Sequence, residues 1–187
     1  MRSIRSLYLA GPQPWLPDAV RQAGMQRALC DAAGLIALLP DEANLLAQEP
    51  SEILARQIYA ARMAAMRQAD AAVIDLTPWR GPTADPGAAF EAGVLSGLGK
   101  PVFAYMNITT EDDADLATRL SGYVGIEVDD EGVVHDQDGC LVEDFELPET
   151  LMLWAEARRL FIVVTEDPLR DLTGLQLCLE AIRQYAG

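Results

Sequence analysis

The stretch AAVIDLTPWRGPTADPGAAFEAGVLSGLGKPVFAY, residues 71–105, decides the fold. Ala71–Leu76 is a short apolar run with the length and β-branched content of a buried strand, and Asp75 stands near its carboxyl end. Thr77–Ala84, with two prolines and a glycine, is a loop. Asp85-Pro86 then has the form of an N-cap followed by proline at the first helical position, and the helix it opens stops by Gly99. Pro101–Tyr105 is a second apolar strand. Strand, helix and strand in this order form one unit of a parallel sheet.

Outward from this unit the same alternation repeats. Ser6–Ala10 reads as the first strand, ending at Gly11-Pro12, and Asp18–Ala33 as a helix whose apolar spacing is carried by Val20, Met25 and Leu29. Gly34 occupies a C-cap position before the short run Leu35–Leu39. Ser51 is placed to cap a helix reaching Gln68, with Ile53, Leu54, Ile58, Met63 and Met66 largely on one face. Beyond the central unit, Val124–Val128 and Gly132–His135 suggest a hairpin about the acidic turn 129–132. Glu149–Arg159 reads as helical, Leu160–Val164 as a fifth parallel strand and Asp171–Tyr185 as a closing helix. The expectation is one α/β domain over residues 1–187: a doubly wound, flavodoxin-like or Rossmann-like, mostly parallel five-stranded sheet with helices on both faces and a small β-hairpin insertion. In such sheets ligands bind beyond the carboxyl ends of the strands, which directs attention to residues 8–13, 75–85 and 105–107.

Composition narrows the function classes. With 14 Lys and Arg against 29 Asp and Glu, the formal charge of −15 repels polyanions, so no nucleic-acid polymer is expected as a partner. No apolar run approaches the ~20 residues that span a bilayer, and the N-terminal stretch carries no signal-peptide pattern. Cys30, Cys140 and Cys178 are widely separated and odd in number, which suits reduced thiols in a cytoplasmic protein. One histidine, His135, provides too little for a zinc site or a catalytic triad, and neither a dinucleotide fingerprint nor a Walker lysine motif is present.

The candidate chemistry gathers on the helix after Pro86. Glu91 is its single ionisable side chain among alanine, glycine and apolar residues. Burying an isolated carboxylate is costly, so Glu91 either lies on an exposed stripe or is retained for a function. Asp85 reads either as a cap alone or as an acceptor for sugar hydroxyls, and the two are compatible if one oxygen caps and the other binds. Asp75 is either a turn aspartate or a contact to a base, Tyr8 either core or site, and Trp79 either a stacking platform for a flat ligand or cover for a helix.

Taken as an ordered set, Tyr8-Leu-Ala-Gly11-Pro12, the block from Met66 through Asp70 and Asp75 to Pro82, and Asp85-Pro-Gly-Ala-Ala-Phe-Glu91-Ala-Gly93 resemble the nucleoside 2-deoxyribosyltransferase family. Gly99-Lys-Pro-Val102 and Val142-Glu-Asp-Phe145 fit as well. The resemblance implies transfer of 2-deoxyribose between nucleobases by double displacement, with no metal and no organic cofactor, in a homo-oligomer. It casts Glu91 as the nucleophile on C1', Tyr8 as the hydroxyl that orients it and Asp85 as the acceptor of sugar hydroxyls. It implies a 2'-deoxynucleoside and a free nucleobase as the small-molecule partners, with Gly11, Asp75, Trp79, Arg62, Thr150 and Met152 as substrate-binding positions.

Two positions depart from the family pattern. Arg62 stands where an aspartate or asparagine usually faces the base; it is then either turned to solvent, leaving the base to Asp75, or a sign of altered base preference. Thr150, before Leu151-Met152, replaces an asparagine that reaches a neighbouring subunit's sugar site. Two other readings stand beside transfer: an N-glycoside hydrolase acting on nucleosides or nucleotides with the same nucleophile, in which Arg62 or Arg80 would meet a phosphate, and a non-catalytic nucleoside-binding module.

Overall fold

The computed structural model describes residues 4–39 and 49–186. Five strands form a parallel sheet in the order β2-β1-β3-β4-β7: β1 Ser6–Ala10, β2 Ile36–Leu38, β3 Ala71–Asp75, β4 Val102–Ile108 and β7 Ala157–Val164. The first crossover carries the chain from β1 outward to β2, and the next carries it back past β1 to β3. Strand order therefore reverses between β1 and β3, and the crevice beyond their carboxyl ends is the topological switch point.

Side chains alternate across the sheet and divide the core in two. Leu7, Leu9, Val73, Phe103 and Tyr105 face a layer built from α1 (Ala19–Ala32) and α6 (Thr173–Ala186). Tyr8, Ala10, Ala72, Ile74, Ala104 and Met106 face the other layer, built from α2 (Glu52–Gln68) and α3 (Pro86–Gly97). Small residues on this second side, Ala72, Ala88, Ala92 and Ala104, bring α3 close to the strands. Asp70 ties the sheet's entry edge: its Oδ2 accepts from the Arg5 and Ser6 backbone N–H groups at 2.9 and 3.0 Å and from the Ser6 hydroxyl at 3.0 Å. Partial burial opposes its ionisation, yet these donors hold the Asp70 carboxyl below its ordinary value.

The doubly wound sheet agrees with expectation, and the acidic hairpin is present as β5 (Ile126–Val128) paired antiparallel with β6 (Val134–Asp136). Four local readings are corrected. Val20 is 70% exposed and Met25 is also exposed, while α1 buries Gln22, Gln26 and Cys30, a stripe with helical spacing that two glutamines concealed. Leu116–Val124 forms a helix, α4, not foreseen from sequence; it ends at Gly125, whose φ of 55° suits glycine. The helix expected over Glu149–Arg159 is confined to α5, Leu151–Glu156, because Ala157 already pairs with Val102 and the edge strand starts there. Strand β4 extends to Ile108, three residues beyond expectation, following that same edge partner through Ile108 and Val164.

Candidate active site

Helix α3 positions the central carboxylate. Asp85 caps it by accepting from the Ala88 N–H at 3.0 Å, Pro86 occupies the first turn, and Gly87 leaves room where a Cβ would lie 2.8 Å from Asp85 Oδ2. Glu91 follows between Ala88 and Ala92, its residue surface only 5% exposed, which removes the exposed-stripe reading. The burial is compensated across the layer: Arg62, on α2, donates from Nη1 to Glu91 Oε1 at 2.9 Å. Both side chains are sheltered, at 18% and 7% exposure, so the pair is a charge-assisted hydrogen bond in a partly desolvated setting. Arg62 is thus directed at Glu91 and not turned out to solvent. Tyr8 is buried on the same side of the sheet, in the apolar cluster that contains Ala88 and Ala92.

Asp75 is placed differently. It pairs in register with Tyr105 and shares the side of the sheet covered by α1 and α6, opposite to Glu91. Its carboxyl is fully enclosed: Gln13 Nε2 donates to Oδ2, and the Thr77 N–H donates to Oδ1 at 2.9 Å. Burial raises the Asp75 carboxyl above its ordinary value, against these hydrogen bonds. The adjacent Tyr105 hydroxyl is raised further by burial and by the Asp75 charge. Gly11 permits this packing, since a Cβ there would lie 2.6 Å from Asp75 Cβ and 2.5 Å from Gln13 Oε1. Gly11 and Asp75 therefore meet at the switch point, with Asp75 behind the amide of Gln13.

The loop between β3 and α3 carries Trp79, half-buried, with the Arg80 guanidinium 4.9 Å from its ring centroid and a Trp79 N–H to Thr83 carbonyl bond of 3.0 Å closing the turn. Two charged residues that sequence reasoning passed over fix this loop. Arg119, buried on α4, donates to the carbonyls of Pro82 at 2.7 Å, Asp113 at 2.6 Å and Pro148 at 2.6 Å. Glu149, with no exposed surface, accepts from the backbone N–H groups of Ala84 at 3.0 Å and Thr150 at 2.9 Å. Burial raises the Glu149 carboxyl and lowers the Arg119 guanidinium relative to their ordinary values. Gln13 was also missed, although its segment was marked as ligand edge. Arg119 gave no sequence signal, and Glu149 was read only as the start of a helix.

Thr150 is thus tied through the Glu149 carboxylate to Ala84, the residue before Asp85. Met152 is 78% exposed. Trp154 on the same helix, and Ile162 and Val164 on β7, are exposed as well, at 44, 41 and 53%. His135 lies on the hairpin, Nε2 3.0 Å from Asp129 Oδ2, and among the described residues no group of His, Cys, Asp and Glu is arranged to hold a metal. No helix among them is long and apolar enough to cross a membrane.

The chain belongs to the nucleoside 2-deoxyribosyltransferase family, whose profile matches residues 7–152. No curated protein sequence matches it. Among solved structures it is similar to a 2-desoxiribosyltransferase from Leishmania mexicana, with 23% identity, a TM-score of 0.61, and coverage of 94% of this chain and 97% of that one. It is also similar to a 2-deoxyribosyltransferase from Bacillus psychrosaccharolyticus, at 20% identity and a TM-score of 0.45, covering 54% of this chain and 72% of that one. A CMP N-glycosidase from Clostridium botulinum matches at 14% identity and a TM-score of 0.47, over 97% of this chain and 99% of that one.

Proposed function

We propose that this protein transfers 2-deoxyribose between nucleobases through a covalent glycosyl ester on Glu91. The observation that carries the reading is a buried carboxylate, paired with Arg62 and the single charge on its helix, in a chain of this family. Glu91 attacks C1', the bond from C1' to the base nitrogen breaks with its electron pair going to the base, and the sugar is held as an ester. The base anion takes a proton from water as it leaves, and an incoming base then displaces Glu91 from C1', losing its N–H proton to water and restoring the carboxylate. Splitting one displacement into two lowers each barrier, as in retaining glycosidases. Tyr8 orients Glu91 from the neighbouring strand, and Asp85, with one oxygen on the Ala88 N–H, offers the other to a sugar hydroxyl. Trp79 and the loop around it cover the base.

Chromatography of the purified protein with a 2'-deoxynucleoside, with and without a second free base, tests this. A new deoxynucleoside formed only with the acceptor is the expected result. Equal release of free base in both samples would replace transfer by hydrolysis, in which water resolves the ester, and an unchanged donor across purine, pyrimidine and phosphorylated nucleosides would leave a binding role.

The exposed Met152, Trp154, Ile162 and Val164 support a homo-oligomer in which a second copy covers this edge. Light scattering is expected to give a particle heavier than the 20.3 kDa chain, and a mass of one chain at micromolar concentration would overturn this.

A further inference from the structure

We propose that Arg62 receives the negative charge of the departing base. The inference rests on Glu91 being the nucleophile. Arg62 Nη1 donates to Glu91 Oε1 at 2.9 Å, and a guanidinium offers five N–H donors and no acceptor. A cation serving only the resting carboxylate would oppose the reaction, because attack on C1' turns the carboxylate into a neutral ester and discards the ion pair.

The negative charge is not lost in that step. As Glu91 Oε bonds to C1', the electron pair of the bond to the base nitrogen stays on the base, so one unit of charge passes from the carboxylate to the leaving group. In a 2-oxopyrimidine anion this charge is shared between N1 and the adjacent O2, and the N–C–O edge has the shape of a carboxylate. The parallel N–H groups of an arginine fork match both. Arg62 thus exchanges one anion for another of the same form, and its hydrogen bonds strengthen as the base departs. The base anion takes a proton from water as it leaves the site, and in the second step the acceptor, a base N–H or water, loses its proton to water as Glu91 is released as carboxylate.

The two other carboxyls of this region are already engaged. The carboxyl at the end of β3, Asp75, faces the other layer and is held by Gln13 and Thr77, and Asp85 is engaged at the cap of α3. An adenine anion, its charge shared between N9 and N3 on either side of C4, presents an edge of the same form.

The test is a series of 2'-deoxyuridines whose uracils carry halogens that make N1 progressively more acidic, with kcat and KM measured for the wild-type chain, Arg62→Gln and Arg62→Lys. The wild type is expected to depend weakly on that acidity. Arg62→Gln is expected to lose about 100-fold or more in kcat on 2'-deoxyuridine and under about tenfold on the most acidic member, with Arg62→Lys between. An equal loss across the series in both variants, or a change confined to KM for phosphorylated donors, would overturn the role of Arg62 and leave the nucleophile standing. A wild type inert toward every donor, or one whose turnover survives removal of the Glu91 carboxylate, would instead overturn the reading of the nucleophile, and this proposal with it.

Discussion

Glu91→Gln is expected to lower turnover of a 2'-deoxynucleoside by about ten-thousand-fold while leaving donor binding within about threefold. Glutamine matches the volume of the side chain it replaces, and its amide oxygen still accepts from Arg62 Nη1, so the packing between Ala88 and Ala92 is preserved. What disappears is the charge and the nucleophilic oxygen that forms the ester. Turnover and binding are then separable by measuring kcat beside donor affinity by calorimetry. The truncated Glu91→Ala adds a second check. It leaves a small cavity beside a guanidinium, where formate is expected to take the carboxylate's place and recover part of the rate. Undiminished turnover by Glu91→Gln would reject the mechanism.

Arg119→Met is expected to destabilise the fold by about 3–5 kcal/mol in urea denaturation, because three carbonyls in one sheltered spot lose their charged donor together. Those carbonyls belong to Pro82, Asp113 and Pro148, on three separate segments that meet over the entrance to α3. Methionine fills a similar volume and donates nothing. A loss under about 1 kcal/mol would mean that water replaces the guanidinium freely and that the segments hold without it.

The sheet was legible because its evidence is local. Ala71–Asp75 and Val102–Ile108 are apolar runs of strand length, and the helix between them announces its start at Asp85-Pro86 and its end by Gly99. Helix α1 was misread on its buried face because burial there falls on Gln22 and Gln26, which an apolar count ignores. The run from Val124 attracted a strand assignment although the helix before it reaches that residue, since Ile126 and Val128 continue the apolar pattern.

Within the site, Glu91 was legible as a lone charge in an uncharged helix. The meaning of Arg62 was not, because its partner lies 29 residues away on another helix and only packing brings them together. Asp75 was found as a strand-end carboxyl, but which side of the sheet it faces depends on register with Tyr105, and its enclosure depends on Gln13.

The two buried charges over the entrance, Arg119 and Glu149, bond to main-chain atoms: three carbonyls for one, two N–H groups for the other. A clamp that grips the backbone is indifferent to the side chains it holds. Residues such as Trp79 and Arg80, and those leading to Pro148, are therefore free to be exchanged over generations while the path of the loop stays fixed. A lineage can retune which base it accepts by small steps, without first having to rebuild the frame that presents the sugar to Glu91.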